Sequence, residues 1–230
     1  MITLLVLGMI GVVSVFLFGM IASGGRFYLL NYNPSKKKVL TDIKKMKKLL
    51  APNINELIPW KGEEINLLSL KHGSVQRKKR GTTVVQGTFN SIYHEPMITY
   101  AYKKYMAKTE NAVIYAQTSN RSFQYRIKDQ QIELTINNKF IGILQSNGVL
   151  YNTKKKMLAR INRKSDAPHY PVLIHSEKGH MKELGTLVTK TTEEQINPRA
   201  LQFLDPNMTD QEEMVFLSLV LFDMIYKVVK

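Results

Sequence analysis

Near its carboxyl end this chain is apolar in a way that leaves no polar face. From Met214 to Phe222 the sequence reads MVFLSLVLF, with Ser218 the one polar side chain. A helix through this run shows apolar surface all round and must be enclosed by protein or lipid. Thr209, three residues ahead of Glu212, offers a capping box that starts such a helix. Asp223 and Lys227 interrupt the run before the roughly 20 apolar residues a bilayer span needs, so enclosure in protein is expected. Their i, i+4 spacing, acid first, predicts an ion pair along a narrow polar strip. The pattern therefore predicts a core helix over 210–229 sheathed by the preceding chain.

The other long apolar run lies at the amino end. Ile2 to Ala22 carries no charged side chain, and the first is Arg26, after Gly24 and Gly25. That length suffices to cross a bilayer. The competing reading is a cleaved signal peptide ending near Ala22 to Gly24, but such a peptide wants basic residues ahead of its apolar region, and none is present. An uncleaved transmembrane anchor over residues 1–25 is the reading adopted. Arg26 and a series of lysines follow the span, which predicts a single-pass membrane protein whose carboxyl-terminal domain is cytoplasmic. Gly19 and Ser23 form a small-xxx-small pair through which two spans could self-associate.

Residues 26–53 read as a basic juxtamembrane linker and amphipathic helix. Asn33-Pro34-Ser35 supplies a turn and a cap, and Val39, Leu40, Ile43, Met46, Leu49 and Leu50 then recur at helical spacing until Ala51-Pro52 ends the run. Lys36, Lys37, Lys38, Lys44, Lys45, Lys47 and Lys48 occupy the opposite face, with Asp42 the one acid among them. Two readings fit this pattern: a solvated helix packed on its own domain, or a helix lying on the bilayer with its lysines on anionic headgroups.

From Glu63 to Val188 the period changes to that of short strands. Phe123 to Ile127, Ile132 to Ile136, Phe140 to Leu144, Val149 to Tyr151 and Met157 to Ile161 are separated by turn signals, Asn147-Gly148 the most specific of them. Ile65 to Leu70, Thr82 to Phe89, Ile98 to Tyr105 and Ala112 to Gln117 precede these, and Pro171 to His175 and Lys182 to Val188 follow. Gln76 to Arg80, QRKKR, reads as a loop between strands. Regular short strands predict a mainly β chain, an antiparallel meander or barrel over 54–230.

Many short strands ending in a hydrophobic helix resemble the tubby-like β-barrel of tubby proteins, phospholipid scramblases and LURP-one-related proteins, over roughly Ile54 to Lys230. The resemblance implies an antiparallel barrel with the terminal helix threaded through it as its core. It also implies association with lipid or membrane surfaces, with phosphoinositide binding in tubby itself. No phosphoinositide-binding residue carries over position by position, and the membrane span here precedes the domain.

Composition narrows the partners. The chain has 230 residues, 44% hydrophobic, enough for a real core, and a formal charge of +15 that calls for an anionic partner. With no cysteine, thiolate metal sites, disulfides and cysteine nucleophiles are excluded. His175 and His180 with Glu177 lack the tight, repeated spacing of a zinc site, and no P-loop, Rossmann or G-x-S-x-G string is present. The paired acids Glu63-Glu64, Glu193-Glu194 and Glu212-Glu213 read as solvated, so no catalytic residue, metal or cofactor is expected.

These readings converge on a non-catalytic domain at anionic phospholipid surfaces. Its candidate headgroup ligands are the seven lysines above together with Arg77, Lys78, Lys79 and Arg80, with Lys154 to Lys156, Arg160, Arg163 and Lys164 as further basic positions. A scaffold that recruits a protein partner is one alternative, and a periplasmic or secreted enzyme released by signal cleavage another. Nucleic acid could use the same charges, with Tyr100, Tyr102 and Tyr105 as stacking platforms, but alternation makes these sheet residues and the span argues against it.

Overall fold

The computed structural model of the chain describes residues 2–59, 62–79, 82–163, 167–175, 180–190 and 197–230; for residues 2–13, 16–17, 30, 62–63 and 78–79 it describes the backbone alone. A first helix, α1, covers Ile2–Tyr32, running through Gly24, Gly25 and Arg26 rather than stopping at residue 25. Val15, Phe18, Met20, Ile21 and Leu29 on it are exposed. Among the described residues no helix is long and apolar enough to cross a membrane, and the side chains of residues 2–13 lie outside those described.

The second helix, α2, covers Lys36–Ile54, and the Ser35 hydroxyl at its start accepts a hydrogen bond from the Lys38 N–H. It passes through Pro52 instead of ending there.

After a 3₁₀ turn at Gly62–Leu67 come twelve strands. They are β1 (Leu68–Lys79), β2 (Thr82–Ser91), β3 (Pro96–Lys104), β4 (Asn111–Gln117), β5 (Ser122–Lys128) and β6 (Gln131–Ile136), then β7 (Lys139–Gln145), β8 (Val149–Asn152), β9 (Met157–Ile161), β10 (His169–His175), β11 (Met181–Val188) and β12 (Leu201–Gln202). Helix α3 (Asp210–Val229) closes the order. Every strand pairs antiparallel with its neighbour in sequence. Ser69 of β1 bridges to Arg199, the Leu70 N–H donates to Pro198 O, and the Ala200 N–H donates to Leu68 O. The meander thus returns on itself as a nearly closed barrel.

Two features depart from the pattern-based expectation. Ile65 to Leu67 are 3₁₀ rather than strand, and β1 runs on to Lys79, so Gln76 to Lys79 lie in a strand and not a loop. Lys71 to Lys79 is almost wholly polar and shows no alternation; its strand conformation comes from the ladder with β2, where Arg77 faces Val84 and Lys79 faces Thr82. At Asn147-Gly148 only the glycine is at positive φ, 85°, and its N–H donates to Gln145 O, giving a three-residue loop. The two-residue turn with both central residues at positive φ is Asn137-Asn138, at 48° and 63°.

Alternating strand residues face inward and meet α3. Every residue from Val215 to Phe222 is buried, which no helix on a barrel's outside could achieve. The Tyr125 hydroxyl donates to Ser218 O, the Tyr125 and Phe222 rings lie 5.5 Å apart, and the Ser218 hydroxyl donates to Val215 O. Gly185 gives the helix room: a Cβ there would sit 2.7 Å from Leu204 and 3.3 Å from the Phe216 ring.

The barrel has two ends. The even-numbered strands end at its base and the odd-numbered strands at its mouth. α3 enters at the base, capped by the Thr209–Glu212 box, with Glu213 on Arg121 and Glu212 and Asp205 on Lys182. It leaves at the mouth, where the Tyr226 hydroxyl donates to Glu110. Asp223 and Lys227 do not pair with each other: Arg163 grips Asp223 through Nε and Nη2, and Lys227 donates to Thr189 O. A bidentate guanidinium is a better partner for a carboxylate than a lysine one turn away.

If α3 is the core, Phe216→Ala will lower unfolding stability by about 3 to 5 kcal/mol in denaturant titration. A chain ending after Glu213 will lose cooperative unfolding altogether; a truncated barrel melting like the intact one would make the helix peripheral.

Candidate functional site

The basic helix packs on its own barrel. Val39, Ile43, Met46 and Leu50 form a second core with Ala101, Tyr105, Val113 and Tyr115 on the outer face of β3 and β4. Asp42 pins this contact. Only 3% exposed, its carboxylate accepts from Lys38 Nζ at 2.7 Å, from Lys103 Nζ at 3.0 Å and from the Tyr105 hydroxyl at 3.0 Å. Burial alone would raise the carboxyl's pKa, but the hydrogen bonds and charges of Lys38 and Lys103 outweigh it and hold the group below its ordinary value. Burial pushes the Tyr105 phenol up, as does the Asp42 charge beside it, so it stays a donor.

With Val39, Ile43, Met46 and Leu50 of α2 packed on the barrel, Leu40 and Leu49 stay exposed and most of the lysines face outward. Lys36, Lys37, Lys44, Lys45 and Lys48 are exposed. Lys38 is drawn to Asp42, and Lys47 donates to Asn138 and lies over the Tyr115 ring. Lys103 and Tyr105 mark the mouth end of β3 and Asn138 a base turn, so α2 starts beside the mouth and runs toward the base. Arg77, exposed, and the backbones of Lys78 and Lys79 lie where β1 approaches the mouth, while Arg80 falls outside the described residues. The start of α2 and the basic end of β1 therefore share one end of the barrel.

Beside the last turns of α3 the barrel holds a cavity of about 930 Å³. Leu70, Phe89, Ile127, Ile132, Leu187 and Phe222 supply apolar wall, and Asp129, Gln130, Lys190, Lys227 and Lys230 lie toward the mouth. Two polar pairs also line it, Arg163 with Asp223 and Tyr226 with Glu110. Burial pushes the Asp223 carboxyl upward against the pull of Arg163, and burial and Glu110 both push the Tyr226 phenol up. None of the buried polar atoms left without a partner among the described residues belongs to a residue lining this space.

Other candidates fall away or lie elsewhere. Tyr100 and Tyr102 are buried inside the barrel and Tyr105 under α2, so none is a stacking platform. Arg163 is bound to Asp223 rather than offered outward; Lys154, Lys155, Lys156 and Arg160 are exposed, and Lys164 is outside the described residues. His175 and His180 are separated by residues outside the description, Glu177 among them, and no cluster of metal-ligating side chains occurs among the described residues. Compared with known proteins, the chain matches no family model, no curated sequence and no solved structure.

Replacing Asp42 by Ala would leave Lys103 and the Tyr105 hydroxyl buried without their partner, a loss of about 3 kcal/mol. Because its pKa is lowered on folding, Asp42 stabilises the docked helix fully above its unfolded value near 3.8, and the contribution disappears as pH falls toward the lower folded value. Acid titration followed by proteolysis will show α2 becoming cleavable below about pH 4 in the wild type and already at neutral pH in Asp42→Ala. Equal protection of the two proteins at neutral pH would contradict this role.

Proposed function

We propose that this chain is a tubby-like barrel held at the cytoplasmic face of a membrane by α1, and that it binds anionic phospholipid surfaces without catalysis. The observation that carries the reading is the exposed lysine row of α2. The row is fixed on the barrel by Asp42 and begins three residues after α1. Twelve antiparallel strands in meander order with the terminal helix enclosed support the tubby-like reading. For the anchor, the uncharged run from Ile2 to Ala22 and the exposed Phe18, Met20 and Ile21 favour an apolar surrounding.

The docked geometry shapes how such binding works. A helix whose Val39, Ile43, Met46 and Leu50 are already packed against protein has only Leu40 and Leu49 left to offer a bilayer, so attraction is mainly electrostatic, with about 1 kcal/mol at best from each basic residue at the surface. Of the seven lysines expected to act, Lys38 is neutralised by Asp42 and Lys47 is held against Tyr115 and Asn138. The remaining five supply a few kcal/mol together. Screening over about 8 Å at physiological salt makes this contact reversible by salt alone.

A fragment from Ser35 onward keeps both hydrophobic cores, since among the described residues neither draws a side chain from α1. It will sediment with vesicles containing anionic lipid, ignore neutral ones, and be released when salt is raised severalfold. Changing Lys37, Lys44 and Lys48 together to Glu will abolish sedimentation without altering the thermal midpoint. Equal binding to neutral vesicles, or no effect of the triple change, would move the function to a scaffold that recruits a protein.

A further inference from the structure

We propose that the cavity at the barrel mouth binds the hydrocarbon chain of a single-chain anionic amphiphile of the fatty-acid class. The carboxylate stays at the rim beside Lys190, Lys227 and Lys230. The cavity's size falls within the roughly 300 to 1,000 Å³ of sites that enclose small ligands, and barrel mouths are a recurrent place for them.

The polar state of the wall decides the class of ligand. Arg163 and Asp223 satisfy each other, Tyr226 donates to Glu110, Lys227 donates to Thr189 O, and the Thr189 hydroxyl donates to Ala167 O. The polar pairs of the wall are thus engaged with one another, and His72, Asp129, Gln130 and Tyr170 are among the remaining polar side chains of a lining that is mostly apolar. What the interior offers is Phe89, Ile127, Ile132, Leu187 and Phe222, which suit a hydrocarbon chain and give water few partners. At the rim the acids are Asp129 and Glu110, the latter engaged by Tyr226, against Lys190, Lys227 and Lys230, the last two exposed at the end of α3, so cations outnumber acids there. The chain's net charge of +15 raises the local concentration of any anionic amphiphile.

Position supplies the source. α2 begins at the mouth and only residues 33–35 separate it from α1, so the cavity opens at the end of the barrel where α1 joins. Entry of the amphiphile from a bilayer rests on the membrane reading above; the cavity and its chemistry do not.

The test is calorimetric titration of the fragment 35–230 with oleate kept below its self-association range. One oleate per chain, with a rise in thermal midpoint, is expected. Ile132→Trp, which fills the cavity, and Val228→Trp, at the mouth, will each lose binding while unfolding stays cooperative; the second serves where the first does not fold. Reversing Lys227 and Lys230 to Glu will weaken oleate severalfold and leave oleyl alcohol unchanged. Absence of saturable binding, or full binding by a folded Trp variant, would overturn the cavity assignment, and equal loss of oleate and alcohol on charge reversal would overturn the placement of the carboxylate. The Lys37, Lys44 and Lys48 triple variant separates the two functions: vesicle release with oleate binding retained removes neither claim, whereas vesicle binding by a wild-type fragment that ignores oleate sinks the cavity proposal alone.

Discussion

A helix that is apolar on every side cannot rest on a surface, and α3 therefore requires a closed sheath. The barrel provides one, and the polar residues at the two ends of α3 set where along the axis it sits. At the base Glu213 meets Arg121 and Glu212 meets Lys182; at the mouth Asp223 meets Arg163 and Tyr226 meets Glu110. Sliding the helix by one turn, about 5.4 Å, would strand each of these groups in a low-dielectric interior. Burial alone would leave the register of a greasy cylinder undetermined, so these pairs give the core a single arrangement. They also engage the two polar pairs nearest the last turns of α3, so the deeper wall beside the helix is mostly apolar.

The same logic operates on the outside of the barrel with the opposite outcome. Asp42 takes two of the many cations into a buried cluster with Tyr105 and thereby clamps α2 onto β3 and β4. Because Val39, Ile43, Met46 and Leu50 of α2 are spent on that contact, only Leu40 and Leu49 of its apolar stripe stay exposed, and its exposed lysines become a charged ridge. Charge inside the molecule is paired and specifies structure; charge on this ridge has no acid opposite it among the described residues and is available to an external anion.

What the sequence made legible follows how local each signal is. α3 could be read to within a residue because its capping box and apolar run are contiguous, and strands such as Met157 to Ile161 because alternation and turns bracket them. β1 was hidden because Lys71 to Lys79 is polar but for Gly73 and Val75 and is a strand only through β2. The expected Asp223–Lys227 pair failed because spacing along a helix cannot see Arg163, sixty residues away in sequence and better shaped for the carboxylate. Asp42 looked like one acid diluted among lysines, and nothing local says that Lys103 and Tyr105 converge on it. The cavity was equally invisible, since its walls come from β1, β2, β5, β6, β10, β11, α3 and the loops at the mouth, joined only by the closure of the barrel.

Whether the lysine ridge acts while docked is the point on which the account turns. The chain has no cysteine, so labels can be placed at will. Leu49→Cys on α2 and Lys139→Cys on β7, both exposed and outside the lysine row, would carry spin labels in the full-length protein. The distance between them, measured in neutral and in anionic bilayers, is predicted to stay the same with an equally narrow distribution. A longer or broadened distance in the anionic bilayer would show that α2 leaves the barrel to lie in the interface, and would contradict a rigid, docked basic ridge.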